Sequence, residues 1–150
     1  ILLEVIEEAS HKVLVFVPFT HTLNMIQDFL TKNKVTSEII NGAVSVSKRT
    51  DTFKRFQEQD DPRVLLIQPQ AAAHGVTLTA ANVIVWYAPV TSTETYLQAN
   101  ARIDRPGQRN PMTIVHLEGS PVEAKLYSML QNNLDFHNKI IDLYKSEINS

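Results

Sequence analysis

Short runs rich in valine, isoleucine and leucine recur along this chain, at residues 13–17, 64–67, 83–86 and 113–117, with a shorter one at 38–40. Most lack the polar alternation of a strand with one wet face. Near-continuous apolar strands are the pattern of a parallel sheet covered on both sides. Between them the apolar spacing changes to a helical period. Leu23, Ile26 and Leu30 form one stripe, and Val46, Phe53 and Phe56 another. A third helix is predicted over residues 93–104. A long one is predicted over 121–148, with Val122, Leu126, Met129, Leu130, Leu134, Ile140 and Tyr144 near one side. Strand–helix alternation predicts an α/β fold: a three-layer α/β/α domain with a mostly parallel sheet, right-handed crossovers and a long C-terminal helix.

The chain's 150 residues suffice for one domain with a sizeable core, and its 43% apolar share is that of a globular protein. Cysteine is absent, which excludes disulfides and thiolate metal sites. No apolar run reaches the roughly 18 residues of a membrane span, and the opening Ile1-Leu2-Leu3-Glu4 has neither an initiator Met nor the basic start of a signal peptide. The expectation is a piece of a longer intracellular protein, cytoplasmic if its source is bacterial or phage, with no membrane partner. Net charge is −2, so the whole domain is no general polyanion binder. Lys48, Arg49, Lys54, Arg55 and Arg63 nevertheless gather in one stretch. They read either as a solvated helix face or as phosphate contacts.

Helix starts are marked at Thr91 with Glu94 and at Ser120 with Glu123, both capping-box spacings, with Pro121 at a first helical position. Pro106-Gly107 stops the third helix. Functional loops of such a sheet are expected at the strands' carboxyl ends, residues 18–22, 41–45, 68–75 and 87–92.

The segment Gln98-Ala99-Asn100-Ala101-Arg102-Ile103-Asp104-Arg105-Pro106-Gly107-Gln108 carries the most chemistry. Helical spacing puts Gln98, Arg102 and Arg105 on one face with no carboxylate between them. Two guanidiniums on one face suit an anion, above all phosphate, whose oxygens match the planar fork. The alternative is a pair of surface arginines favoured by the helix dipole at a C-terminus.

This segment resembles the last signature motif of SWI/SNF-type superfamily 2 ATPases, Gln-Ala-x-Gly-Arg-x-x-Arg-x-Gly-Gln. It agrees at Gln98, Ala99, Arg102, Arg105, Gly107 and Gln108, and departs at Ala101, Asp104 and Pro106. Residues 65–82 resemble the family's Ser-Thr-x-Ala-Gly-Gly-x-Gly-Leu-Asn-Leu motif through Ala71, Gly75, Leu78 and Ala80-Ala81. There Gln68-Pro69 replace Ser-Thr, Ala72-Ala73 replace the glycine pair and Thr77 replaces Asn. These departures resemble bacteriophage-type members more than chromatin remodellers. Residues 12–17 with Pro18-Phe19-Thr20-His21-Thr22 resemble the first motif of the family's C-terminal lobe. Asn41-Gly42 with Arg49, Phe53 and Phe56 resemble the next.

The resemblance implies the C-terminal RecA-like lobe of an ATP-dependent DNA translocase or helicase, predicted inactive alone. Arg102 and Arg105 would reach the γ-phosphate as arginine fingers, and Gly75 and Gln98 would shape the ATP cleft. Thr20, His21, Gly42 and Arg49 would lie on the nucleic-acid track, although Thr20 also reads as a helix N-cap. An N-terminal RecA-like lobe would supply the phosphate loop and the Mg²⁺ ligands, and duplex DNA would cross both lobes. The chain itself contains no G-x-x-x-x-G-K-[ST] and no G-x-G-x-x-G sequence. His74 has no neighbours suited to a metal, and Trp86 reads as core. Two other readings stay open: a non-catalytic nucleic-acid or protein binding module derived from such a lobe, and a stand-alone α/β ligand-binding domain.

Overall fold

A computed structural model describes residues 1–72, 77–104 and 106–132. Along the chain run α1 (Leu2–Glu8), β1 (Lys12–Phe16), α2 (Thr20–Lys32), β2 (Ser37–Ile40), α3 (Val46–Glu58) and β3 (Val64–Ile67). A short 3-10 turn (Pro69–Ala72) follows, then β4 (Ala81–Trp86), α4 (Thr93–Asn100), β5 (Thr113–His116) and α5 (Pro121–Gln131). The strands form one sheet in the order β2-β3-β1-β4-β5, every pair parallel. The β3–β4 connection crosses over β1.

Period-two side-chain alternation divides the core between the two faces of the sheet. Leu14, Phe16, Leu65, Ile67, Ile84 and Trp86 pack with Phe56 of α3, Tyr96 and Ala99 of α4, and Tyr127 and Leu130 of α5. Val13, Val15, Val64, Leu66, Val83 and Val85 pack with Leu2 and Ile6 of α1 and Leu23, Ile26 and Leu30 of α2. Central strands buried on both faces explain why the sequence runs apolar without interruption. Edge strand β5 shows the converse, since its Thr113 and Ile114 are exposed.

Several local expectations change. Val46 opens α3 and is 76% exposed, and the buried face of that helix is formed by Thr52 and Phe56, with Phe53 partly covered. The N-cap of α4 is Ser92, not Thr91. Ser92 holds the extended backbone of a cap and accepts from the Thr95 amide at 3.2 Å. The capping box at Ser120 forms with one difference. Ser120 accepts from the Glu123 amide, but Glu123 reaches back to the Gly119 amide. Helix α4 stops at Asn100 rather than Asp104. The Arg102 amide takes a tight bond to the Ala99 carbonyl, and Gly107 turns the chain at φ +101°. The predicted continuation of α5 through Leu134, Ile140 and Tyr144 lies outside the described residues.

The basic stretch is partly structural. Arg55 pairs with Asp51 at 3.0 Å and Glu38 at 3.3 Å. Arg63 donates to the Ile6 and Ala9 carbonyls, both at 2.7 Å, and so closes the C-terminus of α1. No helix among the described residues is long and apolar enough to cross a membrane.

An aromatic cluster ties α4, β5 and α5 to the sheet. Trp86 lies 4.8 Å from Phe16 and 5.0 Å from Tyr96, centroid to centroid. His116 stacks on Tyr127 at 4.1 Å and meets the Tyr96 hydroxyl at 2.8 Å through Nε2. Tyr127 donates to the carbonyls of Trp86 and Leu117. Burial lowers the His116 pKa, against an opposing pull from Glu118. The unfolded chain therefore takes up this proton more readily than the native one. Stability held by neutral His116 is complete above its unfolded value, roughly pH 6.5, and is lost as pH falls through the lower native value. Urea midpoints are expected to decline on acidification below that point. His116→Phe, which keeps a ring on Tyr127, should flatten part of the decline, and an unchanged decline would exclude His116 as its source.

Candidate nucleotide and nucleic-acid sites

The sequence-selected residues fall into two separate sets. The first sits where β1, β2 and β3 end. Thr20 is the first residue of α2 and not its cap. Phe19 holds the cap position without a side-chain bond, and the Thr20 hydroxyl accepts from Gln68 Nε2 at 2.7 Å. Gln68 Oε1 in turn accepts from the Gly42 amide at 3.4 Å. One side chain at the end of β3 thus links the loops that follow β1 and β2. A Cβ built on Gly42 would meet nothing within 4 Å, so this backbone faces open space. Arg49 lies behind the same loop, donating from Nη2 to the Asn41 carbonyl at 3.4 Å and the Val44 carbonyl at 3.3 Å. His21 is exposed, its ring 6.5 Å from that of Phe19.

The second set lies at the opposite end of the sheet, beside the start of β4. Helix α4 runs back from the carboxyl end of that strand, which carries Arg102 down to Leu78. The Leu78 amide donates to the Arg102 carbonyl at 2.8 Å. Arg102 is only 4% exposed, and its Nε donates to the Gln98 carbonyl at 2.7 Å. Gln98 Nε2 donates to Glu94 Oε1 at 3.1 Å, one turn earlier. A carboxylate therefore does adjoin this stripe, on the side away from Arg102. Gln108 holds the following turn by donating to the carbonyls of Ala81 and Ile103 at 2.8 and 2.9 Å. Gly75, His74 and Arg105 lie outside the described residues.

Guanidinium and amide donors of this kind fit phosphate oxygens. They do not fit a divalent cation, and among the described residues no group of His, Asp and Glu is placed to hold one. The residues are thus suited to the phosphate end of a nucleotide and not to its metal.

Sequence reasoning missed the amides that organise both sets. Gln68 stood out only as a departure from Ser-Thr. Gln57 was passed over, although its Oε1 accepts from the Ala80 amide at 2.6 Å and its Nε2 donates to Thr79 at 3.3 Å. Asn100, which accepts from Trp86 Nε1 at 2.8 Å, seats α4 on the sheet. For Gln68 the available signal is polarity at a strand terminus, where a buried strand hands over to a loop; Gln57 and Asn100, both in helices, carry no such mark.

A parallel sheet with two donor sets, joined by the β3–β4 connection, is the architecture of a RecA-like lobe. The chain belongs to the helicase conserved C-terminal domain family, whose model matches residues 1–107, and within it to the C-terminal lobes of SWI/SNF-type superfamily 2 ATPases. Over 117 residues, 78% of the chain, it is 31% identical to the chromatin-remodeling ATPase INO80 of Arabidopsis thaliana, and it spans 8% of that protein. It is 29% identical over 142 residues, 94% of the chain, to chromodomain-helicase-DNA-binding protein 1-like of Danio rerio, spanning 14% of it. The solved structure of the C-terminal part of the Fun30 ATPase domain superposes with a TM-score of 0.77 at 24% identity, over 86% of this chain and 42% of that one. The likeness to phage-type members finds no support in these relatives.

Proposed function

We propose that this chain is the C-terminal half of an ATP-dependent DNA translocase that acts inside the cell and closes against an N-terminal RecA-like lobe of the same polypeptide. In this reading the second donor set faces ATP in the cleft between the lobes. Arg105 and Arg102 stabilise the charge that develops on the γ-phosphate, and Gln98 and Gly75 shape the wall around it. The N-terminal lobe supplies the phosphate loop and the Mg²⁺ ligands. The first set, Thr20, His21, Gly42 and Arg49, contributes to the track on which duplex DNA lies.

The observation that carries this reading is the connection between the sets. Gln68, where β3 ends, is bonded to Thr20 and to the Gly42 amide, and Leu78, just before β4, is bonded to Arg102. In this reading the chain between them links the two sets, the kind of physical link that coupling hydrolysis to movement on a strand needs.

Half a site performs no hydrolysis. Purified residues 1–150 are expected to release no phosphate from ATP above background, with or without duplex DNA, in a steady-state phosphate-release assay. DNA-stimulated turnover by the chain alone would overturn the half-site reading.

A further inference from the structure

We infer that Gln68 is a positioning residue that orients the Thr20 hydroxyl as an outward-facing donor to a phosphodiester oxygen. The inference rests on the nucleic-acid reading of the first donor set and adds to it the residue that fixes the polarity of the contact.

Hydrogen-bond bookkeeping leads to it. The Gly42 backbone amide can only donate, so the Gln68 atom that faces it must be the oxygen. That contact assigns which way round the side-chain amide sits, a choice that heavy-atom positions leave open. The Gln68 nitrogen then faces Thr20 at 2.7 Å. An amide nitrogen only donates, so the Thr20 oxygen accepts and its own proton points elsewhere. Thr20 is an exposed residue, and its hydroxyl makes no other hydrogen bond among the described residues. Its proton therefore points to solvent.

An outward hydroxyl proton at the carboxyl edge of the sheet, with the uncrowded Gly42 backbone alongside, suits an anionic oxygen acceptor. A bridging phosphate of a nucleic-acid strand has that chemistry. The anchoring bonds span 48 and 26 residues of sequence, so the hydroxyl is preorganised by the folded sheet rather than by its own loop. A strand bound there meets a hydroxyl already aimed at it, and that rotor is not frozen anew on binding.

The test uses the intact two-lobe protein and labelled mixed-sequence duplexes. Thr20→Val keeps the shape and removes the donor. It is expected to weaken duplex binding about tenfold, the size of one hydrogen bond to a charged group. The loss should be the same for different sequences and leave the salt slope unchanged, because no cation is removed. Gln68→Met frees the hydroxyl to rotate and should produce a smaller loss. The double variant should bind no worse than Thr20→Val alone, with circular dichroism establishing that each variant is folded. Wild-type binding by Thr20→Val overturns the inference, and so does simple addition of the two losses, since Gln68 would then not act through Thr20. A wild-type protein that neither binds duplex nor is stimulated by it would instead remove the functional reading itself.

Discussion

Arg105→Ala in the two-lobe protein is expected to lower DNA-stimulated turnover by about 10³–10⁵-fold, the range for arginine fingers, while ATP binding stays largely intact. The other lobe would hold most of the nucleotide. An arginine reaching from this lobe acts chiefly as charge develops in phosphoryl transfer. Lysine should rescue poorly, because a point charge does not reproduce the two-pronged guanidinium contact. Arg102 is not a probe of catalysis alone. Arg102 is almost fully buried, its Nε closing the end of α4 on the Gln98 carbonyl and its own carbonyl holding Leu78. Arg102→Ala should therefore lose stability as well as turnover, and Gln98→Ala, which removes no charge, should be mildest. ATP affinity and turnover, with circular dichroism to establish folding, separate these outcomes. A folded Arg105→Ala protein with wild-type turnover would mean that the arginines serve lobe packing and not catalysis.

Trp86→Ala is expected to destabilise the lobe by about 3–5 kcal/mol, the usual cost of emptying a large aromatic site. A typical domain has about 5–15 kcal/mol in all. Trp86 is fully buried at the end of β4, its ring tilted against those of Phe16 and Tyr96. Its indole nitrogen donates to Asn100, so the substitution also leaves that amide without its partner and loosens α4 at the end that leads to Arg102. Trp86→Phe keeps most of the apolar contact and should cost much less. Urea denaturation followed by circular dichroism measures both, since the chain's single tryptophan is the residue removed. A loss below about 1 kcal/mol for Trp86→Ala would mean that the neighbouring rings close the cavity.

The legible parts of the sequence are those set by local pattern. Residues 64–67 form a strand with the predicted bounds because Val64, Leu65, Leu66 and Ile67 are all buried, and no other local structure uses such a run as well. Leu23, Ile26 and Leu30 fall on the covered face of α2 for the same reason. Ser120 caps α5 because the cap and its target amide are neighbours in sequence. Family membership was legible as well, through the spacing of Gln98, Arg102, Arg105, Gly107 and Gln108, which needs no fold to be read.

What the tertiary structure decided is which polar groups meet. Val46 fits a helical stripe, yet it opens α3 at a point the sheet does not cover, and periodicity carries no information about where a neighbouring layer ends. Thr20 has the composition of a cap. Its hydroxyl is instead engaged by Gln68, and only the parallel pairing of β1 with β3 brings these residues together. Arg102 has the look of a surface cation on a helix end, yet it is buried where the turn after α4 meets Leu78 ahead of β4. Apolar periodicity reports burial because hydrophobic transfer is additive and non-directional, so each residue contributes its share wherever the core lies. A hydrogen bond requires one donor and one acceptor within about 3 Å in a fixed orientation. Strand order and register create that coincidence, and neither is written in any local stretch of this chain.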